Sequence, residues 1–273
     1  MKRQLRPNRI QRSNRRVTIA AGVILLIAAA VIGVCAAYDT LHEMWIEQCA
    51  ITDFSEQVKI STDKMVKSDV IAECFDLRNG ANLALIDFET KRRETLLHFP
   101  SLKEITIVRQ LPNRVSISVE EREPAVRLEA CGGRRRSGRV MDTSGTVFTC
   151  YRGTEQLPIV RENRTPPSKP GERLSGRVIA ALRLAETFKD YVHIGLLEID
   201  TSKPDFLIAT LGNYSKLKIT WKDMDRDNAA SGQDLAMRLK LLHQAMLNQI
   251  SSKPVMWYVS DDSTDIYAKE IRQ

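Results

Sequence analysis

The sequence predicts an α+β protein anchored by a single N-terminal transmembrane helix, and three observations carry that reading. Residues 17–38 are an uncharged run of 22 residues behind a basic tail. Next comes a stretch that switches between strand-like period two and helix-like periodicity. Strand patterns separated by Gly, Pro and Asn turns then dominate the second half, interrupted by two helical ones.

Taking the elements in order, the tail holds Lys2, Arg3, Arg6, Arg9, Arg12, Arg15 and Arg16 and no acid. At about 1.5 Å per residue the apolar run spans roughly 33 Å, enough for a hydrocarbon core of about 30 Å. Basic flanks stay cytoplasmic, and the far flank opens with Asp39, Glu43, Glu47 and Asp53, so the remainder is expected outside the cytoplasm. A cleaved leader is the competing reading, with Val34 and Ala36 before the cut. The run exceeds the usual leader core of about 7 to 15 residues, and Leu41, Trp45 and Cys49 continue at helical spacing. Those two facts favour a retained anchor. A lipid-modified Cys35 is disfavoured by bulky Val34 before it. Ala29, Gly33 and Ala37 fall at i, i+4 and i+8, a spacing that lets another helix approach.

The formal charge of +7 does not indicate a nucleic-acid partner. The tail carries seven of the 41 basic residues and none of the 34 acids, so beyond it 34 face 34. Arg134, Arg135, Arg136 and Arg139 sit among glycines and read as a solvated loop. Of five cysteines, none forms a CxxC pair, which argues against zinc and a dithiol redox centre. Cys131 and Cys150 flank a hairpin pattern and are placed to bridge in an oxidising compartment. Cys74 reads as a packed free thiol.

Residues 54–128 read strand, helix, helix, strand, strand. Val58 and Ile60 alternate. Ser68 is placed to cap a short helix with Val70, Ile71, Cys74 and Phe75, and Asp76 to Asn82 reads as a turn. Asp87 caps a second helix with Phe88, Leu96 and Phe99 on one face, stopped by Pro100. Ile105 and Ile107, then Val115, Ile117 and Val119, alternate on either side of a turn at Leu111 to Arg114.

Those residues carry a resemblance. The succession is similar to a POTRA domain (β-α-α-β-β), and the hairpin resembles that of the FtsQ/DivIB family of bacterial cell-division proteins. Phe99, Pro100, Arg109, Leu111, Pro112, the valine-rich strand and the ending Glu121, Arg122, Pro124, Ala125 carry it, with Leu77, Gly80, Asn82 and Leu83 upstream. Ser61 to Lys64 stand where a glycine is expected. Met141 to Phe148, then Leu157, Pro158 and Ile159, extend the likeness.

Residues 129–273 read as a mostly antiparallel β domain with two packed helices. Strands are expected at 125–129, 140–142 and 147–149. An exposed loop is expected over 161–173, then a helix with Val178, Leu182, Ala185 and Phe188 on one face. A meander follows at 194–200, 206–211 and 217–221, with a Gly212–Asn213 turn. A helix over 233–250, a strand at 255–260 and a short strand at 266–268 close the chain. The domain organisation is thus a cytoplasmic tail at 1–16, the span at 17–38, a juxtamembrane helix at 39–53, and the two domains.

Catalytic patterns are lacking. His42, His98, His193 and His243 are scattered, with no HExxH. Ser144 beside Gly145 fits a turn better than a nucleophile. Gly171 to Arg177 imitates a phosphate loop without its Lys and Ser or Thr. Glu120 and Glu121 face opposite sides of a strand. The expectation is a non-enzyme with no cofactor, no metal, no small-molecule substrate and no nucleic acid. What remains is binding by shape: a terminal strand offers unpaired backbone groups to an incoming chain. The expected partner surface is Trp257, Tyr258, Val259, Ser260, Ile266 and Tyr267; alternation allows one of the two aromatics at 257 and 258 to fill the core, not both.

Family resemblance implies a scaffold of the division machinery in the cell inner membrane at the septum. It would bind small bitopic partners of the FtsB/DivIC and FtsL type and act through them on septal peptidoglycan synthesis. A POTRA-containing envelope assembly or secretion component is the alternative.

Overall fold

The structure is a computed structural model describing residues 10–63, 65–130, 138–226, 228–249, 253–262 and 265–271. They form two compact units, one from the described residues within 1–61, 66–91 and 106–118, the other from those within 62–65, 92–105 and 119–273.

Helix α1 (Ile10–Gln48) is continuous over 39 residues, about 58 Å at the α-helical rise. From Leu25 it is apolar and long enough to cross a membrane. It ends at Gln48, short of the expected boundary at 53, because the chain there turns to pair with a loop. The Ile51 N–H donates to the Ala81 carbonyl at 2.8 Å and the Leu83 N–H to the Cys49 carbonyl at 3.0 Å. Asn82 Nδ2 donates to the Ile46 carbonyl at 2.7 Å. Cys49 and Ile51 are buried there.

A short helix not foreseen from the pattern, α2 (Phe54–Gln57), starts on Asp53, whose carboxylate accepts the Ser55 N–H. Strand β1 (Val58–Ser61) follows. In α3 (Ser68–Cys74) the cap position is Lys67, with no side-chain cap bond. Ser68 therefore lies inside the helix and the expected cap is corrected. Ile71 and Phe75 are buried as expected. Asp87 does cap α4 (Phe88–His98): its carboxylate accepts the Thr90 N–H at 3.1 Å and the Thr90 hydroxyl at 2.7 Å. The buried face of α4 is Phe88 and Thr95, seven residues or about two turns apart. Leu96 and Phe99 are only half-buried, so the expected face is rotated.

Strands β2 (Leu102–Gln110) and β3 (Arg114–Glu121) complete a sheet of order β1-β3-β2. β1 runs parallel to β3, Val58 beside Val115 and Ser61 beside Ser118. Val115, Ile117 and Val119 are buried while Ser118 and Glu120 are exposed, the period-two pattern of a half-buried strand.

The second unit is built on nine strands: β4 (Val126–Ala130), β5 (Arg139–Met141), β6 (Val147–Thr149), β7 (Ile159–Glu162), β8 (Leu196–Asp200), β9 (Leu207–Leu211), β10 (Lys216–Ile219), β11 (Val255–Val259) and β12 (Tyr267–Glu270). Their order is β12-β11-β10-β9-β8-β7-β4-β5-β6. Five neighbouring pairs are antiparallel and three parallel. Helices α5 (Arg177–Tyr191) and α6 (Ala229–Asn248) supply the apolar layer. Ala181 and Phe188 from α5, with Leu235 and Leu239 from α6, are buried in one cluster with Val126, Ile199, Leu217 and Trp257.

Two expectations shift. Arg161 and Glu162 belong to β7, not to a loop, because β7 is paired in parallel with both β4 and β8. Helix α6 begins before 233, where Asn228 accepts the Ser231 N–H at 2.7 Å. Its first turn, Ala-Ala-Ser-Gly, has no apolar period to announce it.

Candidate partner-docking edge

A nine-stranded open sheet has two edges, and this chain treats them differently. At the β6 edge the Val147 N–H donates to the Glu172 carbonyl at 2.9 Å, and the Gly171 N–H to the Val147 carbonyl at 2.7 Å. Chain at 171–173, the segment that imitates a phosphate loop, thus covers that edge. At the other end the order stops at β12, and among the described residues nothing pairs beyond it.

β11 is therefore an internal strand between β10 and β12, which corrects the expectation that Val255 to Ser260 is itself the free edge. Alternation along β11 buries Val255, Trp257 and Val259 and leaves Met256 and Tyr258 half-buried on the other face. Trp257 and Val259, placed at the partner surface by the sequence reading, point inward. Ile266 and Ala268 pack partly against the same core. Tyr258 lies opposite Tyr267 in the register. Their rings stack with centroids 4.8 Å apart at 11°, and Tyr267 remains 59% exposed. Ser260 lies just past β11, and its carbonyl accepts from Arg238.

The outer face continues across the sheet. Lys218 sits opposite Tyr258 on β10, and its ammonium lies 4.0 Å from the Phe206 ring centroid. These groups border a groove of about 710 Å³. Its rim is held by Arg238, buried on α6, which donates to the Ser260 carbonyl and, at 3.0 Å, to that of Asp261. Arg238 also binds Asp234 at 2.7 Å. Burial pushes the Asp234 carboxyl up, but hydrogen bonds from Arg238 and the Lys222 N–H outweigh it and hold the group below its ordinary range. Lys218, Phe206 and Arg238 come from distant parts of the chain, and no local pattern marks them.

The residues that carried the family resemblance take structural roles. Arg109 lies over the Phe88 ring at 4.3 Å and donates to the Ile86 carbonyl. Pro112 follows a cis bond in the β2–β3 turn. Glu121 accepts the Met65 N–H at 2.7 Å. Arg122 donates to the Pro100 carbonyl at 3.1 Å and to Asp142 at 2.6 Å, and Pro124 borders a cavity beside it. The Asp142 carboxylate also accepts from the Ser144 hydroxyl and the Thr146 N–H. Its burial opposes ionisation, yet these bonds prevail and keep it below the usual carboxylate range.

Cys131 lies outside the described residues, so the bridge expected with Cys150 does too. Cys150 is a buried thiol 3.9 Å from Met65 Sδ. Cys74 is a partly buried free thiol. His193 and His243 meet edge to face at 5.5 Å, but among the described residues no group of three potential metal ligands forms.

Residues 55–122 match the family model of the FtsQ-type POTRA domain. Together with the N-terminal apolar helix, this is consistent with the FtsQ/DivIB family. No match is found among curated proteins.

Proposed function

We propose that this chain is a non-catalytic, membrane-anchored scaffold of the division machinery. Its outer domains bind FtsB/DivIC-like and FtsL-like bitopic proteins and couple them to septal peptidoglycan synthesis. Support comes from the FtsQ-type POTRA match and the apolar N-terminal helix. The observation that carries the docking role is the asymmetry of the large sheet: one edge is covered by 171–173, while β12 ends the order with an exposed tyrosine. An open edge supplies backbone donors and acceptors for strand addition, and side-chain pockets beside it supply specificity.

Co-purification with an FtsB/DivIC-like partner tests the reading. Tyr267→Asp should abolish recovery of the partner while the melting temperature falls by no more than about 6 °C, since the exposed ring loses only its stack on Tyr258, about 0.5–1.5 kcal/mol. Recovery of the partner at wild-type levels would refute docking at β12. Failure of a fluorescent fusion to collect at the septum would refute the division role itself.

A further inference from the structure

The groove beside β12 is electrically unlike the rest of the exported chain. Beyond the basic tail the acids and bases of the sequence balance. Around this groove stand Asp205, Asp223, Asp225, Asp261, Asp262 and Asp265, against only Arg177, Lys218 and Arg226. Asp225 pairs with Arg177 at 3.1 Å and Asp223 with Arg226 at 3.5 Å. Lys218 keeps its charge but is engaged on the Phe206 ring. Asp205, Asp261 and Asp262 are exposed and make no ion pair among the described residues.

Position matters as much as number. Asp261, Asp262 and Asp265 lie in the short connection between β11 and β12, at the end of the open edge where Tyr267 begins. At its start, buried Arg238 grips the Ser260 and Asp261 carbonyls from α6. The backbone that presents Asp261 beside the edge is thus anchored, which lowers the ordering cost of binding there. Tyr258 covers one face of the Tyr267 ring. Tyr267 is 59% exposed, which leaves ring surface for a cation–π contact.

We infer that the segment docking on β12 is an extended strand carrying Arg or Lys at the end that meets Asp261 and Asp262. This rests on the strand-addition reading above and names the chemistry of its partner. Backbone pairing to β12 holds the strand. Its basic side chains face the groove, one over Tyr267 and others toward Asp261, Asp262 and Asp205. An acidic strand of the same shape meets like charge there and is rejected.

The test uses the full chain in detergent micelles and three fluorescein-labelled ten-residue peptides of alternating Val and Thr. One carries three Lys on its Thr face, the second three Glu, and the third is the Lys peptide with alternate backbone nitrogens methylated. By fluorescence anisotropy at 50 mM salt the Lys peptide should bind roughly tenfold tighter than the Glu peptide, the sum of two or three exposed ion pairs. The gap should narrow to about threefold at 300 mM salt as charges are screened. The double variant Asp261→Asn, Asp262→Asn should narrow it likewise at low salt, both positions being exposed. Equal binding of the Lys and Glu peptides overturns the basic-partner inference and leaves edge docking standing. Equal binding of the methylated and unmethylated Lys peptides, or no binding of any peptide, overturns edge docking itself.

Discussion

Replacing Asp142 by Asn isolates one ionic hydrogen-bond centre with little change of shape. In the wild type, one carboxylate oxygen accepts the Ser144 N–H at 3.0 Å, the Ser144 hydroxyl at 2.7 Å and the Thr146 N–H at 2.8 Å, and the other accepts from Arg122 at 2.6 Å. The Asn oxygen keeps the first three. Its NH2 then faces a guanidinium that also only donates. The side chains of Arg122 and Asp142 are 18% and 7% exposed, so little solvent screening discounts the lost contact. A hydrogen bond to a charged group contributes about 1.5–3 kcal/mol. The variant should therefore lose about 2 kcal/mol at pH 7, which for a folded unit of this size lowers the melting temperature by about 4–8 °C.

The pH dependence follows from the depressed carboxyl. A folded value below the unfolded one means the stabilisation is present in full above the unfolded value of about 3.9 and disappears as pH falls through the folded value. Wild type and Asp142→Asn should thus differ by a constant amount from pH 7 to about pH 5 and converge as pH drops below about 4. Thermal unfolding followed by circular dichroism between pH 7 and pH 2.5 measures this. A difference that stays constant to the lowest pH would refute an ionic origin, and no difference at pH 7 would refute the stabilising role of the Arg122 contact.

Two further substitutions test the packing. Trp257→Ala removes a buried ring from the main core and should cost about 3–5 kcal/mol, while Tyr258→Ala loses mainly its stack on Tyr267, about 0.5–1.5 kcal/mol; urea unfolding of the two variants should rank them in that order, and the reverse rank would invert the assigned faces of β11. Arg139→Ala strands the buried Glu162, which binds Arg139 at 2.6 Å and has one oxygen without a hydrogen-bond partner. Breaking such a buried pair costs about 3–5 kcal/mol, and a urea midpoint equal to wild type would refute the stabilising role of the Arg139–Glu162 contact.

Much of the architecture was legible in the sequence because it is written in local patterns. Period two at Val115, Ile117 and Val119 marks β3, and the pair of small and polar residues at Gly212 and Asn213 marks the β9–β10 turn. The Asp87 cap works as expected, with its acceptor three residues before Thr90. Local rules failed where two elements compete for one signal. Ser68 is a good cap by type, but the chain enters α3 one residue earlier at Lys67. Thr95 displaced Leu96 from the interior of α4 because burial follows the angle around the helix, and position 95 lies nearest to Phe88 in that angle.

The docking edge divides the same way. Alternation alone determined that Trp257 and Tyr258 lie on opposite faces of their strand, and composition alone determined that the chain beyond the basic tail is neutral overall. Only the tertiary structure decided which aromatic is inside, because that depends on the side where α5 and α6 pack. It also decided that β12, not β11, ends the sheet, that 171–173 covers the opposite edge, and that Asp205 gathers with Asp261 and Asp262 beside Tyr267. Strand order and the clustering of charges arise from contacts between residues far apart in the chain, and no periodicity of a linear sequence carries that information.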